Sequence, residues 1–410
     1  MKRSHFATIL LLLYGLSGVT ALAYEVLWTR MLSLLFGISI LGVVVTVAAF
    51  MLGLGLGSFM ACRWRFSLRS SLWVLAAIEI GVAIYALLLP TLMHLLQGLW
   101  LSVDDVGAWQ FWQISSALWV LCLPALALGF AFPTMLRLGK SFGVSLGALY
   151  GANTLGGALG ALLPLLLLPL FGWIAALQGV AGLGVLIGLL LLSLAMYCKR
   201  STSFLADDRS FHQVSSHRPI PFMGLLAYGG LGAGALMLEI AWTRAYGMIL
   251  LRTEYVLAII LAVFLVGIGA GSMLAKHLPS ARTLQWMPVL LAIMAIVGLY
   301  AFPYINVWGQ SVHFDSLFAA LLFQGLLIAL CTLPITLLFG AWLPLIAPAE
   351  GVQSSSAGAW LYASNSVGAC LGALLAGFVL IPWLGTAATW LVAAALVMLC
   401  GLYWSVGGRP

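Results

Sequence analysis

The chain has 410 residues, of which 64% are hydrophobic and 7% are charged, and its mean hydropathy is +1.16. Soluble domains carry about 25% charged residues, so a water-soluble globular protein is excluded. The net charge of +7 lies in short segments between apolar stretches, which favours the charge bias of a membrane protein over nucleic-acid binding.

Apolar stretches long enough to cross a bilayer recur along the chain, and each predicts a transmembrane helix. The twelve predicted spans are 6–28, 39–61, 71–95, 112–136, 145–169, 174–197, 222–246, 255–275, 284–304, 316–338, 357–381 and 385–405. With the N-terminus inside, fourteen of the seventeen basic residues fall on the inner side, and the exceptions are Arg30, Arg244 and Arg252. The positive-inside rule therefore predicts that both termini are cytoplasmic.

A pattern near the N-terminus recurs in the middle of the chain. Residues 24–30 (YEVLWTR) match residues 238–244 (LEIAWTR) at an offset of 214, and a Gly-x-Gly-x-Gly run follows each copy. Later, Tyr150 and Asn153 match Tyr362 and Asn365. Six spans separate the copies, so the repeats have parallel topology, which is the layout of the major facilitator fold.

The repeat predicts an all-α membrane protein with about twelve transmembrane helices in two parallel six-helix repeats. The N-terminal repeat is predicted at 1–197 and the C-terminal repeat at 222–410. A cytoplasmic central linker is predicted at 198–221.

The repeated Glu-x-x-Trp-Thr-Arg block supplies the candidate site. Glu and Trp share a helix face at a spacing of three, whereas Arg is five positions on, about 140° round the helix, so each Glu is expected to meet the Arg of the other repeat. Glu25 lies ~28 Å along the first span, near the outer interface. The predicted substrate-binding residues are Glu25, Trp28, Arg30, Glu239, Trp242 and Arg244, with Asn153 and Asn365 lining the site.

Two hypotheses fit this block. The first is an acidic, aromatic-walled site for an organic cation, which combines carboxylates with cation–π faces. The second is a pair of interhelical salt bridges that lock the repeats together, with the tryptophans as anchors in the interfacial belt. For Asn153 and Asn365, hydrogen bonds between helices and the lining of a polar cavity are both open.

Glu79 is a lone carboxylate in the third span, and the residues three and four positions away are apolar. Proton coupling is one hypothesis for such a group. The other is a protonated carboxyl group that bonds to another helix and is shielded from lipid.

No enzyme constellation is found. The sequence has no P-loop, no HExxH and no nucleophile–His–acid set. Its six cysteines show no CxxC or metal-ligand spacing, and the glycine runs lie inside apolar spans, where they predict close helix packing. We expect no cofactor, no metal and no enzymatic activity in this chain.

The segment 24–30, the Leu-Phe-Gly at 35–37 and the glycine run resemble the membrane domain of fused membrane/spermidine-synthase proteins. In that family a facilitator-like membrane region is joined to an aminopropyltransferase-like domain. The resemblance implies a bacterial inner-membrane location and a link to polyamines. The 410 residues leave no room for a soluble synthase domain, so aminopropyl transfer is not expected here.

Two functions are predicted on this basis. The first is a facilitator-like transporter or binding protein in the lipid bilayer for a small, cationic, polyamine-like metabolite. The alternative is a non-transporting membrane scaffold that docks a separate, soluble aminopropyltransferase-like partner or an envelope assembly through its inner segments 62–70 and 198–220.

Overall fold

The structure, a computed structural model, describes residues 3–37, 39–64, 66–100, 105–200, 220–249, 254–312, 314–349 and 355–406, and every regular element within them is helical. The helices are α1 (Arg3–Phe36), α2 (Ser39–Arg63), α3 (Leu68–Trp100), α4 (Val106–Ser141), α5 (146–171), α6 (173–200), α7 (Phe222–Ile249), α8 (Glu254–Leu274), α9 (Ser280–Ser311), α10 (Leu317–Ala349), α11 (355–384) and α12 (386–406). A 3-10 turn at Ala275–His277 follows α8, and α11 contains a π-helical turn at Ala376–Leu380.

Two glycines divide long helical stretches into separate spans. The described residues hold ten continuous apolar helices long enough to cross a membrane, and two of these run for 53 and 50 residues. Gly172 (φ 76°) breaks the first into α5 and α6, and Gly385 (φ 82°) breaks the second into α11 and α12. Only glycine adopts such a positive φ readily, so the breaks follow directly from the sequence. The prediction of a multi-pass helical protein is confirmed.

The helix pairs that pack within α1–α6 (the N-half) have counterparts within α7–α12 (the C-half). α2 packs on α4 as α8 packs on α10, and α3 packs on α6 as α9 packs on α12. α1 packs on α5 as α7 packs on α11. The halves meet through α2 against α11 and α5 against α8.

The glycine runs set how closely these helices approach. Gly53 and Gly57 face α4, where an added Cβ at Gly53 would come within 2.6 Å of the Cys122 carbonyl oxygen. Gly55 faces the other way, and an added Cβ there would lie 2.8 Å from Val367 of α11. Small residues on both sides of α2 let it pack tightly between its own half and the other half. The predicted packing role of these glycines is confirmed.

The predicted central linker lies mostly outside the described residues, because positions 201–219 are not among them. The same holds for most of the segment 198–220 that the scaffold hypothesis uses as a docking surface. Residues 198–200 belong to α6 and residues 220–221 precede α7.

Candidate functional site

A cavity of about 190 Å³ lies between the two halves. A cavity of this size holds several water molecules, so the space suits a small metabolite. Most of its wall comes from positions that match between the halves. The matching polar and aromatic pairs are Tyr14 with Tyr228, Glu25 with Glu239, Phe50 with Phe264, Tyr150 with Tyr362, Asn153 with Asn365, and Thr154 with Ser366.

Glu25 of α1 and Glu239 of α7 both face this cavity. Their side chains are 3% and 7% exposed, and they are close enough for their charges to interact. The residues that line the cavity in the described part of the chain include no Lys, Arg or His. Two acidic groups in a desolvated space without a basic neighbour favour a cation as the occupant.

The depth of Glu25 in the membrane stays a prediction, whereas the end of the first helix differs from the expected one. The first span was expected to end at residue 28, but α1 continues to Phe36, because residues 31–36 are also largely apolar. About 11 further residues, or ~16 Å of helix, follow Glu25 on its outer side. The carboxyl group therefore lies well inside α1, at a level where it reaches the space between the halves.

The predicted tryptophans lie behind the cavity wall and not on it. Trp28 and Trp242 are both 0% exposed, so the hypothesis that they are interfacial belt anchors is wrong. The ring of Trp28 lies 5.5 Å from that of Phe50, and the ring of Trp242 lies 6.3 Å from that of Phe264. Each indole thus supports the phenylalanine that faces the cavity from its own half.

The predicted arginines are also outside the cavity lining. Arg30 is half-buried in the last two turns of α1, and Arg244 of α7 is exposed. Both follow their Glu by five positions, so the helical rotation that separates them from Glu25 and Glu239 directs them elsewhere. The structure brings together the carboxylates and asparagines of the predicted site but leaves out its Trp and Arg members.

Asn153 and Asn365 reach the cavity because glycines let their helices come close. An added Cβ at Gly18 of α1 would collide with the Asn153 carbonyl oxygen, and one at Gly232 of α7 would collide with that of Asn365. The two amides differ in their bonding. Asn365 Nδ2 donates to the Tyr228 carbonyl oxygen at 3.3 Å, whereas Asn153 Oδ1 is buried with no partner among the described residues.

Two cavity tyrosines were missed in the sequence. Tyr14 and Tyr228 are 214 positions apart, which is the offset of the two glutamates, and this offset was the available signal. They lie close enough to Tyr150 and Tyr362 for electrostatic interaction, and the rings of Tyr150 and Tyr362 are 6.3 Å apart in an edge-on arrangement. Phe132 stacks on Tyr362 at 4.2 Å. Aromatic faces therefore cover one part of the cavity wall.

Glu79 does not line the cavity. It is 5% exposed on α3, and the Ser17 side chain of α1 is its hydrogen-bond partner. Ser17 itself faces the cavity.

Metal-ligand clusters are not found in the described part of the chain, where no three His, Cys, Asp or Glu side chains converge. The six cysteines are free thiols, and each is buried or half-buried. This agrees with their predicted role as small packing residues.

Among the comparisons with known proteins, only the one with solved structures found similar proteins. No family model and no curated protein matches the chain. Among solved structures, it is similar to a proton:xylose symporter of the major facilitator superfamily, with 11% identity and a TM-score of 0.59 over 100% of this chain and 98% of that chain. It is also similar to a bacterial homologue of the iron transporter ferroportin in the outward-facing state with soaked iron, with 14% identity and a TM-score of 0.61 over 98% and 99% of the two chains.

The chain has the major facilitator fold. The identities of 11% and 14% carry this conclusion for the fold alone. In this fold the substrate site lies between the halves, near the middle of the membrane. The cavity that holds Glu25 and Glu239 also lies between the halves.

Proposed function

We propose that the chain is a membrane transporter for a small organic cation, of which an aliphatic diamine of the polyamine type is the leading example. The observation that carries this proposal is the pairing of two buried carboxylates in one cavity whose described lining has no basic residue. A neutral sugar would leave both acidic groups without a charged partner, whereas a diamine supplies one ammonium group for each.

The remaining wall suits the aliphatic part and the charged ends of such a ligand. Tyr14, Tyr150, Tyr228 and Tyr362 contribute aromatic rings to the wall, and such rings attract cations. Asn153 also lines the wall, and its buried Oδ1 has no partner among the described residues, so turning this side chain toward the ligand would offer an acceptor to an N–H donor.

Movement of the ligand would follow from rocking of two six-helix repeats, 1–197 and 222–410, about the cavity. Two matching hydrogen bonds join the halves: Ser58 Oγ donates to the Ala359 carbonyl oxygen and Ser272 Oγ to the Gly147 carbonyl oxygen, both at 3.1 Å. Hydrogen bonds within membranes contribute about 0.6 kcal/mol each, so breaking this pair costs only about 1 kcal/mol. Such weak cross-links support an interface that opens and closes.

The orientation of the protein in the membrane is proposed from its charges, and its location from the family resemblance. The bias of basic residues favours cytoplasmic termini, and the resemblance to the synthase-fusion family favours a bacterial inner membrane. That resemblance also favours a polyamine as the cation.

The function is tested by transport in proteoliposomes that contain the purified protein. We expect saturable uptake of labelled putrescine and no uptake of xylose, and a Glu25→Gln/Glu239→Gln double variant is expected to lose the putrescine flux. Asp105→Asn is the matched control, because it removes a carboxylate outside the cavity and Asn still caps α4. Ferrous iron forms a further arm, since two carboxylates also attract a divalent metal.

Uptake of xylose or iron in place of putrescine would contradict the organic cation. Unchanged flux in the double variant would remove the proposed site. If no solute moves and a soluble aminopropyltransferase-like protein co-purifies in equal amount from native membranes, the scaffold hypothesis would replace transport.

A further inference from the structure

Glu79 is a buried carboxyl group that the proposed cation site does not use. It lies on α3, one helix layer behind the cavity, and is 5% exposed. It lies away from both the lipid and the cavity wall. Burying an ionisable group in a membrane span costs free energy, and such groups usually mark an ion or proton pathway.

Ser17 connects this group to the cavity. The Ser17 side chain is hydrogen-bonded to Glu79 and also lines the space where Glu25 lies. In the C-half the position that corresponds to Ser17 is Leu231, which cannot form such a bond. The hydroxyl that makes this connection is therefore present in the N-half and replaced by an apolar side chain at the matching position of the C-half.

The groups that face Glu79 are hydroxyls. Tyr14 and Tyr24 of α1 interact with it electrostatically, and α4 and α6 also pack on α3. The Tyr24 hydroxyl is buried without a partner in the described structure. It lies near Gly184 of α6, where an added Cβ would be 3.3 Å from the Tyr24 oxygen and 3.7 Å from the Glu79 carbonyl oxygen. Glu79 thus has hydroxyl groups as its neighbours on α1.

We propose that Glu79 is a proton-binding site, linked to the cavity through Ser17, that couples cation transport to proton movement. The coupling rests on the proposed transport function, whereas proton binding at Glu79 does not. In each cycle the Glu79 carboxylate takes one proton from water when the cavity is open to one side, forming an O–H bond. It returns that proton to water when the cavity is open to the other side, so one proton crosses per cycle.

The transport test separates driven accumulation from exchange. Proteoliposomes with Glu79→Gln are expected to lose accumulation of labelled putrescine under a pH gradient but still to exchange internal labelled for external unlabelled putrescine. Ser17→Leu, which copies the C-half, is expected to lose this accumulation as well. Ser193→Ala is a control for loss of a serine hydroxyl, since Ser193 is exposed and bonded only within α6 in the described structure. Accumulation by Glu79→Gln equal to that of the wild type would overturn the proposal.

A spectroscopic test keeps the two proposals distinguishable. Infrared difference spectra of the purified protein between acid and alkaline pH are expected to contain a carboxyl C=O band that is missing in Glu79→Gln. Ser17→Ala is expected to keep this band and shift its position and midpoint. Putrescine inactivity of the wild type would defeat the transport function alone, whereas an identical band pattern in Glu79→Gln would defeat the proton site whatever the transport result.

Discussion

The two helices that face each other across the cavity, α1 and α7, agree at some positions and differ at others. Tyr14 and Glu25 of α1 have the same residue types at the matching positions of α7, Tyr228 and Glu239. Ser17 of α1, by contrast, corresponds to Leu231 of α7, so this matching pair differs in residue type. Matched positions provide a symmetric lining for a ligand, and the unmatched serine gives only α1 a polar route to a second buried acid.

This difference separates two tasks that a transporter must combine. A ligand with two similar ends, such as a diamine, needs the same groups from both halves. Coupling to another ion needs one binding site for that ion. A residue that differs between the two halves can provide such a site in one half. Variants of the two matched glutamates should therefore weaken binding equally, and variants of Ser17 or Glu79 should change coupling.

The largest effect is expected at the two carboxylates. Each of Glu25→Gln and Glu239→Gln is expected to weaken putrescine binding by about 2 kcal/mol, or roughly 30-fold, because an ammonium group loses its charged partner. Isothermal titration calorimetry on the purified variants measures the change. A large effect from one variant and none from the other would break the symmetry of the binding site.

The next largest effect is on stability. Gly18→Ala and Gly232→Ala are each expected to lower the free energy of unfolding by about 1–3 kcal/mol, because the added methyl group meets the backbone of α5 or α11. Gly81→Ala is the control, since open space surrounds that position and alanine favours a helix by up to about 1 kcal/mol. Thermal unfolding in detergent measures all three. Equal melting temperatures for Gly18→Ala and Gly81→Ala would contradict the close approach of α1 and α5.

A smaller effect, and an unequal one, is expected at the asparagines. Asn153→Ala is expected to weaken putrescine binding about fivefold, through loss of one hydrogen bond of about 1 kcal/mol. Asn365→Ala is expected to affect binding less and stability more, because its amide already bonds to the Tyr228 carbonyl oxygen. Calorimetry and thermal unfolding on both variants test this division. The reverse ranking in binding would show that Asn365, and not Asn153, contacts the ligand.

The smallest effect on binding is expected at the tryptophans. Trp28→Phe and Trp242→Phe should leave putrescine affinity within about threefold of the wild type, because each indole N–H lacks a partner in the described structure and no hydrogen bond is lost. Both variants should unfold at lower temperature through lost packing. A loss of affinity as large as that of Glu25→Gln would place the indole against the ligand.

The fold and part of the site were predictable from sequence for physical reasons. Apolar runs report the membrane directly, and the offset of 214 identified Glu25 and Glu239 as a pair. The side of a helix that faces a cavity depends on its neighbours, so the burial of Trp28 behind Phe50 was not visible in the spacing. Tyr14 and Tyr228 have the same offset, but tyrosine is compatible with many positions in a membrane span, whereas a charged residue there is rare and indicates a functional role.

The measurement that tests the central claim most directly is a cryo-electron microscopy structure of the protein saturated with putrescine. We predict ligand density between the two halves, with each ammonium group about 3 Å from a carboxylate oxygen of Glu25 or Glu239. Ligand density outside this cavity would contradict the account. So would a cavity without ligand in which Glu25 pairs with Arg244 and Glu239 pairs with Arg30.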